Sequence, residues 1–184
     1  MNRVEPIRDI DLLKDISKYI HDKSDRNYIM FLLGVYSGLR ISDILNLRVR
    51  DVKSKSEISI RERKTRKQKI FSINPYLKKE IAKYIDEYYL DMDEYLIKRQ
   101  GKANKPISRQ MAWNIMQEAA EHFGLYNIGT HTLRKTFGYH FYMQTHDIVT
   151  LQKIFNHSDP SITLIYIGIE QSKINEKMNK FKLF

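Results

Sequence analysis

Six residues of this chain could surround a single phosphate. Arg40 stands in SGLRISD, Lys64 in RKT, His131 and Arg134 in HTLR, and His157 and Tyr166 at the two ends of HSDPSITLIY. Metal-free chemistry on a phosphodiester needs cations for the non-bridging oxygens, a nucleophile, and a proton donor for the leaving oxygen. Arginine suits the first task because its planar fork binds two oxygens at once. A tyrosine suits the second only in such company: with a reference pKa of about 10, roughly a thousandth of it is ionised at neutral pH, so a nearby cation or base must activate it. His131 and Arg134 are three apart and on a helix project from one face. Taken alone, an H-x-x-R pair reads first as a capping histidine beside a surface arginine. Tyr166, at the edge of a stripe made by Ile162, Ile165 and Ile169, taken alone reads first as a packing residue. If the set is chemical, the break at Asp159-Pro160 has a purpose: a straight helix would hold residues nine apart at about 13.5 Å, whereas a break lets His157 and Tyr166 approach one phosphate from separate segments.

The charge distribution supports a polyanionic partner. Lys and Arg (32) exceed Asp and Glu (22), giving a net charge of +10, a balance that suits nucleic acid. Ten basic residues against three acidic ones lie between positions 48 and 69, on a segment that can lie along a groove and contact phosphates. Candidate DNA contacts are Arg61, Arg63, Arg66, Lys67 and Lys69 there, with Arg109 and Lys135 elsewhere. The chain has no cysteine, which excludes disulfides, thiolate metal sites and cysteine nucleophiles and suits a reducing compartment. No stretch approaches the roughly 18 apolar residues of a membrane span, and a cytoplasmic protein is expected. His21, His122, His140 and His146 share no metal-ligand spacing and read as surface or helix-end residues.

The elements that must position these residues follow from periodicity. Ile10, Leu13, Ile16 and Ile20 predict a first helix, and Tyr28, Phe31, Leu32 and Tyr36 a second that stops at Ser37-Gly38. Ser42 can cap a short helix, placing Arg40 on a tight connection. EISIRER and KIFSIN alternate around TRKQ and predict a β-hairpin with a basic turn. Residues 74–96 read as one long helix with Leu77, Ile81, Tyr84, Ile85 and Tyr88 on one side. Its end carries Asp86, Glu87, Asp91, Asp93 and Glu94, expected to face solvent or a basic protein surface. After the loop KRQGKANKP, Ser108 caps a helix whose core stripe is Met111, Ile115, Met116 and Ala119, with Trp113 read as packing. THTLRKTFGYHFYMQT, DIVTLQKIF capped by Asp147, and PSITLIYIGIEQ opened by Pro160 complete the helices. The expected architecture is α+β, mainly α-helical, with a small antiparallel hairpin against a helical bundle in one unit of 184 residues.

The four stretches, in this order, resemble the tyrosine recombinase (phage integrase) family. SGLRISD looks like its first arginine box, RKT before a basic turn like its hairpin lysine, HTLRKT like its H-x-x-R box, and NHSDPSITLIY like its third box with the usual interval to the tyrosine. The resemblance runs from about residue 5 to the C-terminus and implies a mechanism. Tyr166 would attack the scissile phosphate to give a 3′-phosphotyrosyl enzyme and a free 5′-hydroxyl. Arg40 and Arg134 would clamp the non-bridging oxygens, where losing one such donor costs about 2.7–4 kcal/mol of transition-state stabilisation. Lys64 would protonate the departing oxygen, His131 would assist proton transfer at the tyrosine, and His157 would hydrogen-bond the phosphate. Asp43, where the family often has Glu, would brace the arginines. No metal or other cofactor is implied. The implied partners are double-stranded DNA and further copies of the chain, a tetramer on DNA that is weak or monomeric without it.

There are departures. Phe155-Asn156 replaces the usual Leu-Gly before His157, and Asn is the commonest non-Gly residue to take the left-handed conformation required there. Lys64, Lys67 and Lys69 all lie near the hairpin turn, and Lys64, in the K-T pair, is the preferred match. Most members carry an N-terminal clamp domain; this chain is expected to be the catalytic domain alone, as a natural short form or an excised one, and to bind DNA weakly and with strong salt dependence. In its tail Ile174, Met178 and Phe181 form a narrow apolar stripe, with Leu183 and Phe184 beyond. The stripe either packs on its own domain or docks on a neighbouring protomer. Two rival readings remain. Glu62, Lys64 and Asp51 could form part of a metal-dependent nuclease site, or SGLRISDILNLRVRDV could be the helix-turn-helix of a non-catalytic DNA-binding module. Full cleavage and joining activity in excess EDTA is the expected outcome; activity restored only by added divalent cation would favour the nuclease.

Overall fold

The structure, a computed structural model, describes residues 4–61, 68–101, 103–169 and 178–182, with the Lys69 side chain also outside the description. Its elements are α1 (Ile10–Lys23), α2 (Asp25–Ser37), α3 (Ile41–Ile44), α4 (Val49–Val52), β1 (Glu57–Arg61), β2 (Gln68–Ser72), α5 (Pro75–Glu87), α6 (Arg109–His122), α7 (Thr130–Thr145), α8 (Ile148–Phe155) and α9 (Pro160–Tyr166). This is the expected mainly helical α+β fold with one antiparallel hairpin. Among the described residues no helix is long and apolar enough to cross a membrane.

Helix α2 is the centre of the bundle because its sequence leaves it no polar face: Tyr28 through Gly34 are all buried. Ser24 caps its start, and Gly38, at φ 61°, ends it in the left-handed conformation. Helices α1, α5 and α7 pack around it. In the hairpin Ile58 pairs with Phe71, and Ile58 is fully buried against the bundle.

Helix α7 joins two apolar clusters. Its Leu133 belongs to the large core built on α2, while Tyr142 belongs to a smaller one with Leu151, Phe155, Ile167 and Ile169 of the α8–α9 region. Glycines allow the close approaches at both ends. A methyl group on Gly34 would lie 2.6 Å from Leu133 Cβ, and one on Gly138 would lie 2.6 Å from the Phe155 ring and 2.7 Å from Ile167. The N-terminal segment is strapped to the same helix: the Ile7 N–H donates to Thr136 Oγ1 at 2.9 Å and the Ile7 carbonyl lies 3.0 Å from His140 Nε2. His140 is therefore a half-buried mid-helix residue, not the surface or helix-end residue its lack of patterning suggested.

Other local expectations change for physical reasons. Arg40, not Ser42, is the N-cap of α3. The long helix from Pro75 stops at Glu87, where Tyr89 turns back at φ 50° and leaves Tyr88 exposed. Acidic residues of the helix's last turn and of the segment beyond it pair with the chain's own basic segment: Asp86 with Lys53 at 3.7 Å and Asp93 with Arg50 at 2.6 Å. On α6, Ile115, Met116 and Ala119 are buried as expected, but Met111 and Trp113 are exposed. Ala112 takes the inward position in the first turn. On α9 the inward residue is Thr163, and Ile162 and Ile165 face outward. Helices α3 and α4 are four residues each, too short for a recognition helix in a major groove, and Asp51 is committed to capping α4 through the Arg48 N–H at 2.8 Å.

Gly138→Ala is expected to destabilise the fold by about 1–3 kcal/mol through overpacking, read as a lower thermal midpoint by circular dichroism. Gly129→Ala, where the added methyl meets nothing nearer than 3.5 Å, is expected to cost far less; equal midpoints for both variants would contradict the packing described.

Candidate active site

Arg134 reaches inward from the first half of α7 and is 2% exposed. Its Nη1 donates to the Gly38 carbonyl, its Nη2 to the Phe155 carbonyl at 2.9 Å, and its guanidinium lies 4.2 Å from the centre of the Phe155 ring. One side chain thus ties the α2–α3 connection to the end of α8. Both anchor carbonyls exist because the chain turns there: Gly38 is left-handed, and Asn156, at φ 54° and ψ 44°, ends α8 in the same conformation. Asparagine does at this corner what glycine would do.

Arg40 follows two residues after Gly38, in extended conformation at φ −71° and ψ 145°. Asp43 is buried beneath it, with its N–H bonded to the Arg40 carbonyl at 2.8 Å. Arg40 and Arg134 line a cleft of about 610 Å³ together with His131, Thr130 and Arg109. His131 and Arg134 share a face of α7, as their spacing requires.

Tyr166 closes α9 beside this cleft. Its hydroxyl lies 3.5 Å from His131 Nδ1, an outer-limit distance of the kind that tightens when substrate binds. Phe155 and His157 pack against the ring at centroid distances of 5.4 and 5.3 Å, both edge to face. The break at Asp159-Pro160 therefore brings residues nine apart in sequence into ring contact. Asp159 caps α9 by accepting from the Ser161 N–H at 2.7 Å, and Pro160 opens the helix. Burial pushes the Tyr166 phenol above its ordinary pKa, while the positive charges of Arg134 and Arg40 draw it back down. Burial, followed by Arg134 and Arg40, holds His157 below the ordinary histidine value, so its ring is neutral at neutral pH. Its Nδ1 is engaged by Thr163 Oγ1 at 2.9 Å.

The structure brings Arg40, His131, Arg134, His157 and Tyr166 together, with Asp43 beneath them. Lys64, Arg63, Arg66 and Lys67 lie outside the described residues, as does the Lys69 side chain. Arg61 is exposed at the end of β1 and Arg109 at the start of α6. Lys135 is 5% exposed, with Nζ 5.1 Å from the centre of the Tyr166 ring. Sequence reasoning missed Thr163, whose contact with His157 spans the helix break and leaves no periodic signal.

Comparison with known proteins gives a consistent result. The sequence matches the phage integrase family over residues 8–173. It is 48% identical over 171 residues to the probable integrase/recombinase YoeC of Bacillus subtilis, covering 93% of each chain. It is 30% identical over 176 residues to the tyrosine recombinase XerA of Pyrococcus horikoshii, covering 94% of this chain and 60% of that protein. The chain thus spans nearly all of one relative and about three-fifths of the other. A crystal structure of XerA recombinase shares the fold with a TM-score of 0.75 at 23% identity, over 96% of this chain and 65% of that one. The post-cleavage complex of XerH site-specific recombinase with a palindromic difH substrate shares it with a TM-score of 0.72 at 18% identity, over 97% and 53% respectively. The chain belongs to the phage integrase family, the tyrosine recombinases.

Proposed function

We propose that this chain is the catalytic domain of a site-specific DNA recombinase that cuts and rejoins strands through Tyr166. The observation that carries this reading is the Tyr166 hydroxyl, 3.5 Å from the Nδ1 of His131, a residue that lines the basic cleft together with Arg40 and Arg134. The scissile phosphate sits in that cleft, its non-bridging oxygens held by Arg40 and Arg134. As the phenol attacks phosphorus, its proton passes to His131, and charge growing on the oxygens is met by donors already in place. His157, neutral and oriented by Thr163, donates a hydrogen bond to the phosphate through its other ring nitrogen. The P–O bond to the 5′-oxygen breaks, Lys64 supplies the proton to that oxygen, and the 3′-phosphotyrosyl bond conserves the energy of the phosphodiester. The 5′-hydroxyl of a partner strand reverses the sequence and releases Tyr166.

The DNA partner is supported by family membership and by neighbours of the same fold whose structures contain DNA, among them the XerH difH complex. On this reading Arg109, which lines the cleft, Arg61 and the basic residues between the strands carry phosphate contacts beside the cut. A DNA partner and a sequence without cysteine support a cytoplasmic location. Assembly into a tetramer on DNA is supported by apolar side chains at the surface: Val149, Ile162 and Ile165 on the α8–α9 face, and Met178 and Phe181 in the tail. On this reading, the tail of one protomer docks on the next.

A nicked suicide substrate tests the chemistry. Wild type is expected to accumulate a covalent protein–DNA band on a denaturing gel, and Tyr166→Phe to form none; equal adduct from both would overturn the assignment. Deletion of residues 172–184 is expected to leave binding of one protomer to a half-site intact and to abolish higher complexes in a gel-shift titration. Unchanged assembly would refute the role of the tail.

A further inference from the structure

We propose that Lys135 is a positioning residue for Tyr166, its ammonium group holding one face of the phenol ring so that the hydroxyl stays on the side of His131 and the arginine pair. The proposal rests on the reading of Tyr166 as the nucleophile and adds the device that aims it.

Lys135 follows Arg134 and stands four residues after His131 on α7, so the three side chains leave one sector of the helix. Two of them meet Tyr166 at different places: His131 at the hydroxyl, at 3.5 Å, and Lys135 at the ring, 5.1 Å from its centre; the charge of Arg134 acts on the phenol as well. That separation is within the roughly 6 Å over which a cation is attracted to a ring face. The ring is boxed by Phe155 and His157, both edge to face, and the cation adds a contact that depends on charge as well as shape. Lys135 is 5% exposed, and burying an ammonium is costly unless its surroundings compensate; an apolar residue of equal length would fill the space at less cost. Here the cation lies over the ring of Tyr166, the residue read as the nucleophile. Tyr166 is the last residue of α9, and Ile167 and Ile169 beyond it are buried in the smaller core, so the backbone is anchored and the direction of the ring is set by the contacts of the side chain. Because the residue works through ring placement, its loss should slow the chemical step without weakening DNA binding, the reverse of what a phosphate contact would do.

The test compares wild type, Lys135→Met, which keeps the stem and removes the charge, and Lys135→Arg, which keeps a cation. Two quantities are measured: the single-turnover rate of covalent adduct formation on a saturating nicked substrate, and the Kd for the same DNA by fluorescence anisotropy across a salt series. Lys135→Met is expected to form adduct about ten- to a hundred-fold more slowly, with Kd and its salt dependence unchanged, and Lys135→Arg to recover most of the rate. A wild-type rate in Lys135→Met overturns the proposal. So does an unchanged rate at saturation accompanied by weaker binding and a shallower salt slope, which identifies a DNA contact instead. Should Lys135→Met fail to fold, as judged by circular dichroism, the wild-type chain decides: nuclear Overhauser contacts between the Lys135 ε-methylene and the Tyr166 ring protons support the proposal, and their absence refutes it. Failure of the wild type itself to form any adduct would sink the nucleophile reading, a result distinct from equal adduct formation by wild type and Lys135→Met.

Discussion

The Arg134 guanidinium, buried in α7 and bonded to the carbonyls of Gly38 and Phe155, holds the site together. Those carbonyls belong to corners distant in sequence, one leading to Arg40 and the other to His157 and Tyr166. The bonds are charge-assisted, and the group also stacks on the Phe155 ring, so position and orientation are fixed together. A lysine could not replace it, because a single ammonium lacks the planar fork that reaches two carbonyls and still faces an oxyanion. Everything else in the site is placed relative to this staple. The glycine-mediated approach of α7 to α2 and to the α8–α9 cluster lets the staple span the gap.

The chemistry proposed for Tyr166 depends on a balance of opposing electrostatic effects. Burial favours the neutral phenol, and Arg134 and Arg40 favour the phenolate. The same two cations, with burial, keep His157 neutral, which leaves it a hydrogen-bond donor without adding a further charge to be desolvated. The basic residues are not equally available to DNA. Arg50 and Lys53 are paired with Asp93 and Asp86, and Arg48 donates to the Asp93 carbonyl and stacks on Tyr95. The acidic residues at the end of α5 and beyond it thus neutralise the first part of the basic run, and the charge open to a polyanion shifts toward the hairpin and the cleft.

Much of this was legible in the sequence. The helices with apolar stripes and strong caps, such as those begun by Ser24 and Asp147, lie where periodicity placed them, because local propensity and burial agree there. Arg40, His131, Arg134, His157 and Tyr166 could be read as a set since their spacing and order constrain one another. What escaped the sequence depended on tertiary contacts. Tyr89 ends α5 where the pattern continued, and the segment beyond it instead bonds through its backbone to residues 47–50 and buries Leu96 and Ile97. Met111 is exposed and Lys135 buried, since a helix in contact on two sides does not sort its residues by polarity alone. Thr163 orients His157 across a backbone break that no periodic pattern can express.

The central claim is that a single protomer assembles the clamp and the nucleophile around Arg134. It is tested most directly by mixing two inactive variants, Arg134→Ala and Tyr166→Phe, on a nicked substrate and measuring covalent adduct. Assembly within one protomer predicts none above the level of each variant alone, because no subunit then holds both an intact clamp and a tyrosine. Adduct formed efficiently by the mixture would show that one protomer's tyrosine serves another's clamp and would contradict the account.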